Sequence, residues 1–422
     1  MRVRYLVLAF LVSLGLITFL DRICCSVAGS RIMAELKLDP AQWGWAHSVF
    51  ILGYGLFQIP LGAMADRYGQ RLVVTLIVLW WSVFTMLTGW TSGFVSLLAI
   101  RFLFGLGESG AYPAMSGVVG RWFPKGERGM AQGFIWGASR FGGALSPLIV
   151  VPVQQLYGWR VAFFGLGGLG IVWVVAWWGW FRNRPEEKGS VTSAEIAEIN
   201  ADQASAARVA VPWRRIFAAP QMWVIVTMYF FYVFGSWFYF TWLPTYLEKG
   251  RNFSENEVKL FYMLPFLVAV CSNVGGGIMS DRLSKRYGKK IGRVAIGSGS
   301  LAIAAICLAL AAMLPEANKT SIGICVTLGL GFMDCMLPCA WAICLDVGQK
   351  YAGTISGAMN TAGCFGGFLC ATLFGWVVKE TGSYNLPVLG IIVMVFISAL
   401  LFTRIDPDRS IVPDECEPSP AR

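Results

Sequence analysis

Residues 62–71 read Gly62-Ala-Met-Ala-Asp66-Arg67-Tyr-Gly69-Gln-Arg71 and directly follow an apolar run that begins near residue 43. A related stretch, Gly277-Ile-Met-Ser-Asp281-Arg282, follows another apolar run, and its aspartate lies 215 positions after the first one. Each stretch places charged groups and glycines between two segments that are long enough to cross a bilayer. This pattern predicts membrane helices joined by short charged loops.

The composition excludes several classes of protein. Of the 422 residues, 56% are hydrophobic and 14% are charged, and the mean hydropathy is +0.61. Soluble globular proteins carry about 25% charged residues, so a soluble enzyme, a disordered chain and a secreted disulfide scaffold are all excluded. Most of the 11 cysteines lie inside apolar runs and are interpreted as small buried hydrophobes. The single histidine, His47, is interpreted as an interfacial residue, and we predict no metal site and no cofactor.

Twelve apolar stretches are long enough for membrane helices. They are apolar on all sides, whereas barrel strands alternate polar and apolar residues, so the predicted fold class is an all-α integral membrane protein. The predicted spans are residues 5–33, 43–64, 72–91, 94–119, 129–157, 160–181, 221–247, 258–280, 292–314, 320–345, 352–378 and 386–403.

Lysine and arginine placement predicts the orientation. With the N-terminus in the cytoplasm, the cytoplasmic segments hold 23 of the 34 lysines and arginines and the opposite segments hold 8. Both termini are therefore predicted to be cytoplasmic, in a bacterial inner membrane. The same bias explains the net charge of +10. We therefore predict that the chain has the lipid bilayer as its partner and binds no nucleic acid.

The predicted domains follow from the spans. Six spans in residues 1–181 are followed by a cytoplasmic linker, 182–220, that includes a surface helix over 193–207. Six further spans occupy residues 221–404, and a disordered cytoplasmic tail over 405–422 is predicted from its prolines and acids.

The two halves also share glycine positions. Residues of spans 5 and 11 match at a displacement of 224: Gly129, Gly133, Phe141, Gly142 and Gly143 recur as Gly353, Gly357, Phe365, Gly366 and Gly367. Together with the two Asp-Arg stretches, this match indicates a duplication. Parallel halves around a central cavity are an established plan for transporters.

The chain resembles the major facilitator superfamily, and more narrowly its anion:cation symporter family. The motifs that carry the resemblance are the two Asp-Arg loops; Asp21-Arg22; Gly53-Tyr54-x-x-x-Gln58-x-Pro60-x-Gly62; Arg101-Phe-x-x-Gly105-x-Gly107-Glu108; Trp122-Phe123-Pro124 with Glu127-Arg128; and Ser356-Gly-x-x-Asn360. The resemblance implies two pseudo-symmetric six-helix bundles, with substrate binding at Arg101 and proton coupling at Glu108. It also implies gating by the loop charges Asp66, Arg67, Arg71, Asp281 and Arg282.

Charged residues inside the spans are the main functional signal, since each costs at least ~2.5–3.5 kcal/mol at mid-bilayer. Arg101 and Glu108 are seven positions apart and therefore share one helix face. The guanidinium suits a substrate carboxylate, and the acid suits a coupling proton. The alternative is a structural charge pair with other helices.

Four further charged positions, in two pairs, allow two interpretations for each pair. Asp21 and Arg22 are predicted to couple a proton and to bind the anion, or else to neutralise each other near the interface. Arg140 and Asp334 either pair structurally, or Arg140 binds a second carboxylate and Asp334 joins the proton-coupling groups. Neutral substrate-binding candidates complete the predicted site: Tyr54, Gln58, Ser139, Trp341 and Asn360.

Transport is the favoured function. We predict that the protein is a transporter and not an enzyme, and that it imports a small organic anion with protons. A sugar acid is one candidate substrate, and the predicted oligomeric state is a monomer. Alternatives within the fold are anion exchange and organic-anion export. A transporter-like membrane sensor is the alternative from another class, and the retained buried charges argue against it.

Overall fold

The computed structural model describes residues 2–200, 212–348 and 351–412, and these residues form helices joined by turns. Twelve of the helices are long and apolar enough to cross a membrane, which confirms the predicted all-α fold class. We label them α1 (Val3–Val27), α2 (Pro40–Tyr68), α3 (Gln70–Thr88), α4 (Phe94–Glu108 and Ala111–Trp122), α5 (Lys125–Tyr157), α6 (Trp159–Trp180), α7 (Pro220–Thr241), α8 (Glu255–Tyr287), α9 (Ile296–Met313), α10 (Lys319–Gly348), α11 (Ala352–Thr381) and α12 (Asn385–Phe402).

The faces of these helices that pack against no protein are apolar. Large hydrophobic side chains are widely exposed there, including Ile59, Val95, Leu156 and Val175, each with more than two thirds of its surface accessible. Water would not stabilise so much exposed apolar surface, whereas hydrocarbon does. The chain is a multi-pass membrane protein.

The Asp-Arg stretch after the second span differs from the predicted loop. Helix α2 continues through Asp66 and Arg67 to Tyr68, and α3 begins at Gln70. The whole connection is Gly69, whose φ of +90° is a conformation that residues with a Cβ rarely adopt. Glycine therefore sets this tight turn.

The chain divides into two compact units. Unit 1 comprises residues 1–207, 238–267 and 371–384, and unit 2 comprises residues 208–237, 268–370 and 385–422. Within unit 1, α1 packs on α5, α2 on α4, and α3 on α6. Within unit 2, α9 packs on α10 and α12.

The structure describes part of each polar segment. A short helix, Ser193–Asn200, occupies the first part of the surface helix predicted over 193–207, and residues 201–211 lie outside the described residues. At the C-terminal end the Ile411 N–H donates to the Val347 carbonyl at 2.9 Å. The disorder predicted for 405–422 therefore does not extend to 405–412, and residues 413–422 lie outside the described residues.

Equivalent glycines of the sequence repeat make equivalent contacts. A Cβ on Gly142 would lie 2.3 Å from the Leu16 carbonyl oxygen in unit 1. A Cβ on Gly366 would lie 2.3 Å from the Phe230 carbonyl oxygen in unit 2. Backbones this close exclude any side chain, so the duplicated glycines preserve the same helix contact in both units.

Helices α2 and α4 approach each other through a reciprocal pair of glycines. A Cβ on Gly105 would lie 2.2 Å from the Phe50 carbonyl oxygen, and one on Gly53 would lie 2.4 Å from the Phe102 carbonyl oxygen. We expect Gly105→Ala to separate α2 from α4 and to cost about 1–3 kcal/mol, because the obstructing atoms are backbone. The melting temperature of the purified protein in detergent measures this.

The matched control for this substitution is Gly133→Ala in α5, where an added Cβ meets nothing within 4 Å. This variant should melt at or slightly above the wild-type temperature, because alanine has the higher helix propensity. Equal melting temperatures for the two variants would contradict the packing argument.

Asp39 begins α2 as its N-cap and also holds an ion pair. Its side chain accepts the Gln42 N–H at 2.8 Å, and its Oδ2 lies 3.1 Å from the Lys379 Nζ. Partial burial raises the pKa of Asp39, but the Gln42 N–H and the Lys379 ammonium lower it by more, so the pKa falls below its usual value. The ionised form is therefore favoured in the folded protein.

The depressed pKa of Asp39 predicts a pH dependence. Its stabilisation is complete above pH of about 4, the unfolded value, and is lost as the pH falls through the lower folded pKa. Asp39→Asn keeps the cap but loses the charge, so it should flatten this acid limb of melting temperature against pH. Asp39→Ala should also lower the melting temperature at pH 7, since losing a cap costs ~1 kcal/mol. Equal melting temperatures at pH 7 would exclude the capping role.

Candidate functional site

The first element of the site is a buried ion pair between α1 and α4. Glu108 Oε1 accepts from Arg22 Nε at 3.1 Å and from Arg22 Nη2 at 2.8 Å. Arg22 is 9% exposed and Glu108 is fully buried. The sequence placed Glu108 on one face with Arg101, but the structure gives its carboxylate to Arg22, 86 positions away along the chain.

Glu108 also marks a discontinuity in α4. It is the last residue of the first segment, and the second segment begins at Ala111. Interruptions of this kind let a membrane helix change direction next to a polar site. The second carboxylate oxygen, Oε2, has no hydrogen-bond donor among the described residues.

Arg101 is the buried guanidinium whose hydrogen-bond capacity is least used. It is 2% exposed, and its Nε and Nη2 find no acceptor within the described part of the chain. Its guanidinium carbon lies 4.8 Å from the Phe50 ring centroid and 4.9 Å from that of Phe104. Cation–π contacts stabilise the charge and leave the donors for a ligand.

Asp21 is on α1 beside Arg22 but faces another way, as adjacent helical residues must. It is 1% exposed, and neither oxygen has a hydrogen-bond donor among the described residues. Trp81 lies beside it without reaching hydrogen-bond geometry, and Glu108 and Arg101 both act on it electrostatically. Asp21 therefore belongs to the same charged cluster.

Arg140 and Ser139 on α5 have different environments. The Arg140 guanidinium carbon lies 5.8 Å from the Phe19 ring centroid and 5.3 Å from that of Phe240. The Ser139 hydroxyl is fully buried, 2.7 Å from the Tyr112 hydroxyl and 2.9 Å from the Ile135 carbonyl oxygen. Arg140 joins the aromatic surroundings of the cluster, and Ser139 has its partners inside the helix packing.

The remaining binding candidates divide between the units. In unit 1, Tyr54 and Gln58 are half-buried on α2, and the Tyr54 ring centroid lies 5.0 Å from the Arg22 guanidinium carbon. Unit 2 contains the buried Asp334, which accepts from the Tyr232 hydroxyl at 3.3 Å. It also contains the half-buried Asn360 and the exposed Trp341.

His47, predicted from the sequence to be an interfacial residue, is buried within the protein. It is 3% exposed, its ring meets the Trp43 ring edge-on at 4.8 Å, and it lies within electrostatic reach of Arg101. Its Nε2 has no partner among the described residues.

The predicted gating charges lie at helix ends. Arg71 donates to the Trp178 carbonyl oxygen from Nε at 3.2 Å and from Nη2 at 2.5 Å. Arg67 and Arg282 are exposed, and Asp66 occupies the last turn of α2. Asp281 accepts from Arg293 at 2.6 Å.

Apart from Tyr54, the sequence analysis missed the aromatic side chains that surround the arginines. Phe19 precedes Arg22 by three positions, Phe104 follows Arg101 by three, and Tyr112 follows Glu108 by four, all on one helix each. Residues three or four apart are neighbours on a helix surface. This spacing in the sequence could have predicted that the aromatic rings lie beside the charged groups.

Twelve membrane helices within the described residues, with charges buried inside them, define a polytopic membrane protein, and comparisons with known proteins assign it to the transporters. The chain belongs to the major facilitator superfamily, since the model of that family matches residues 11–371. The family predicted from the motifs is thereby confirmed.

Three relatives illustrate the family. A probable sulfoacetate transporter of Cupriavidus necator is 34% identical over 98% of this chain and 96% of its own length. A hexuronate transporter of Bacillus subtilis is 28% identical over 94% of each chain. A probable L-galactonate transporter of Escherichia coli is 31% identical over 88% of this chain and 82% of its own length.

The fold also matches a solved structure. A bacterial homologue of the human lysosomal transporter Spinster, in an inward-facing and occupied conformation, aligns with a TM-score of 0.79 over 99% of both chains. The two sequences are 19% identical, so this likeness shows the fold alone.

The Arg22–Glu108 pair generates a test by double-mutant cycle. Removing one partner with Glu108→Leu or Arg22→Met should cost about 3–5 kcal/mol, because an uncompensated charge stays buried. The double variant should be more stable than the sum of the single losses predicts. Melting temperatures of the four proteins measure the coupling, and additive losses would show that the two groups do not interact.

Proposed function

We propose that this protein imports a small organic anion together with protons by alternating access, as a monomer in a bacterial inner membrane with both termini in the cytoplasm. The observation that carries the proposal is the Arg22–Glu108 ion pair beside the buried guanidinium of Arg101, two of whose nitrogens find no acceptor in the described part of the chain. A buried guanidinium remains charged and matches a carboxylate through two parallel hydrogen bonds. An anion is therefore the cargo that fits.

The printed names of the relatives support the same class of cargo. Sulfoacetate, hexuronates and L-galactonate are all organic acids. The excess of lysine and arginine in alternate loops supports the orientation. We therefore place the anion within the class of small carboxylates, with sugar acids and sulfonated acids as candidates.

Coupling to protons follows from competition for Arg22. While Glu108 is ionised, it occupies Nε and Nη2 of Arg22. A proton that binds Glu108 from outside neutralises the carboxylate and weakens this charge-assisted bond, so both nitrogens become available to the anion. Release of that proton to the cytoplasm restores the pair and displaces the anion. One proton is thus moved inward with each anion through Glu108.

Asp21 is proposed as a second proton carrier. It is buried in the same cluster, and it feels the charges of both Glu108 and Arg101. A proton on Asp21 removes a negative charge close to Arg101 and so strengthens the attraction of Arg101 for the anion. Asp334 of unit 2 is proposed as a further proton-coupling group, with the Tyr232 hydroxyl as its donor.

Gating is proposed at the charged helix ends. Gly69 closes the α2–α3 turn, and Arg71 binds the end of α6 through the Trp178 carbonyl. These charges are proposed to lock neighbouring helix ends in one state and to release them in the other. They are Asp66 and Arg67 in unit 1, and Asp281 and Arg282 in unit 2.

Anion exchange is the second candidate, because Arg101 can bind an anion without any change in protonation. Exchange would move a labelled anion against an unlabelled one whether or not Glu108 titrates. A substitution of Glu108 therefore distinguishes anion exchange from proton-coupled import.

The test compares Arg101→Ala with Glu108→Gln in proteoliposomes, using labelled sulfoacetate, galacturonate and L-galactonate as probes. Arg101→Ala should abolish uptake and counterflow, because the anion loses its main charge partner. Glu108→Gln should keep counterflow, since the neutral amide resembles the protonated acid and holds Arg22 only weakly, so Arg22 stays available to the anion, but it should lose accumulation driven by an inward proton gradient.

Matched controls are Arg182→Gln and Glu187→Gln, which remove one charge each at the polar end of unit 1. Arg182 donates to the Gly179 and Phe181 carbonyls, and Glu187 is exposed. Both controls should transport normally. Full accumulation by Glu108→Gln would overturn proton coupling through Glu108 and favour exchange, and normal uptake by Arg101→Ala would overturn the binding site.

A further inference from the structure

The outer end of unit 1, where α1 ends and α2 begins, contains an ion pair that the proton-coupling scheme does not use. Arg31 lies in the short helix Gly29–Glu35 that follows α1, and Glu255 is the first residue of α8. We infer that the Arg31–Glu255 pair is the outer gate: it holds α8 against α1 and α5 while the outer end is closed, and it breaks when that end opens to admit the anion. This inference rests on the alternating access and the orientation of the proposed function.

Four hydrogen bonds converge on this pair and join three segments of the chain. Glu255 Oε1 accepts from Arg31 Nε at 3.2 Å and from Arg31 Nη2 at 2.7 Å, and Glu255 Oε2 accepts from Gln155 Nε2 at 2.6 Å. Arg31 Nη1 donates to the Gln154 carbonyl oxygen of α5 at 2.8 Å. Both charged side chains are 36% exposed. Water can therefore replace these bonds when the pair separates, so the contact is reversible.

The composition of unit 1 extends the closed contact beyond one ion pair. Unit 1 includes residues 238–267 and 371–384, which contain the end of α7, the start of α8 and the end of α11. Because successive spans cross the membrane in opposite directions, these three helix ends lie on the same side as the end of α1. They are the parts that must leave α1, α2 and α5 when the outer end opens.

Helix α11 closes on α2 at this end with almost no space between the backbones. A Cβ on Gly375 would lie 2.2 Å from the Pro40 carbonyl oxygen. The hydroxyl oxygens of Ser48 and Thr372 are 2.6 Å apart. Contacts this close admit no solute between α2 and α11, so this part of the outer end is closed as well.

The space beside the ion pair is too small for the cargo. A cavity of about 20 Å³ lies between α1, α5 and α8, and its lining includes Arg31, Val151, Glu255 and Tyr262. This volume is enough for one water molecule, whereas an organic acid contains several heavy atoms. The route past these three helices is therefore closed to an anion in this conformation.

Another ion pair at the outer end provides a matched comparison. Glu35 accepts from Arg160 and, at 2.6 Å, from Trp159 Nε1, and so joins the start of α6 to the segment after α1. All three residues belong to the first six spans, so movement of α8 does not break this pair. Glu35 therefore serves as the control for Glu255.

The first test cross-links α2 to α11 with Ser48→Cys and Thr372→Cys together, since the hydroxyls that they replace are close enough for a disulfide. Oxidation should abolish counterflow of labelled sulfoacetate, galacturonate and L-galactonate, and a reductant should restore it, because the outer end cannot open while the disulfide is intact. Wild type and both single variants should keep counterflow after the same oxidation. Full counterflow by protein whose disulfide is verified by mass spectrometry would overturn the inference.

The second test measures how fast Val151→Cys reacts with a membrane-impermeant maleimide that is added outside right-side-out vesicles. Val151 is 3% exposed, and protein without this substitution gives the background from the native cysteines. Adding Glu255→Gln should raise the rate about two- to fivefold, because the lost ion pair no longer favours the closed state. The charge swap of Arg31→Glu with Glu255→Arg should lower the rate again, and Glu35→Gln should leave it unchanged.

The outcomes separate the gate from the proposed function. Equal reaction rates with and without Glu255→Gln, or a charge swap that reacts as fast as Glu255→Gln, would overturn the gate. Counterflow by wild type in those cases would leave the proposed function standing. Failure of wild type to catalyse counterflow with any acid probe would overturn the proposed function, whereas the reaction rates would still decide the gate. Faster reaction from the cytoplasmic side alone would overturn both the orientation and the outer position of the gate.

Discussion

The ion pair between Arg22 and Glu108 is the interaction on which the site depends. Neither charge is stable alone in a low-dielectric interior, so α1 and α4 must be held close enough for the two groups to meet at 2.8 Å. The close approach of α2 to α4 through Gly105 then places the Phe50 ring within 5.4 Å of the Arg22 guanidinium carbon and 4.8 Å of the Arg101 one. Helix packing and charge burial therefore support each other.

In the mechanism that we propose, the same pair links binding to protonation, because Glu108 and an incoming anion need the same donors of Arg22. A site built only from arginines would bind anions tightly but would have no reason to release them. A titratable carboxylate that re-forms an internal pair supplies that reason. The aromatic rings around the arginines stabilise the charges in the interval when no carboxylate occupies them. Their contribution is non-directional, so they do not compete with the cargo.

Duplication left different marks on packing and on chemistry. Gly142 and Gly366 keep equivalent backbone contacts in the two units, because any side chain at either position would separate the helices. The charged groups did not stay paired in this way: unit 1 has the arginine-rich cluster, whereas unit 2 has Asp334 with Tyr232. Packing constrains both copies of a fold equally, whereas the buried charges are free to differ between them.

The sequence by itself determined the membrane class, the twelve spans and the family, because apolar runs of fixed length and the Asp-Arg motifs are local patterns. It also identified Arg22, Arg101, Glu108 and Arg140, since a charge inside an apolar run is visible without a structure. Only the tertiary structure decided that Glu108 pairs with Arg22, that His47 is buried, and that Phe19 contacts the guanidiniums of both Arg22 and Arg140. Those facts depend on which helices pack together, and helix periodicity fixes the face of a residue but not the neighbour that this face meets.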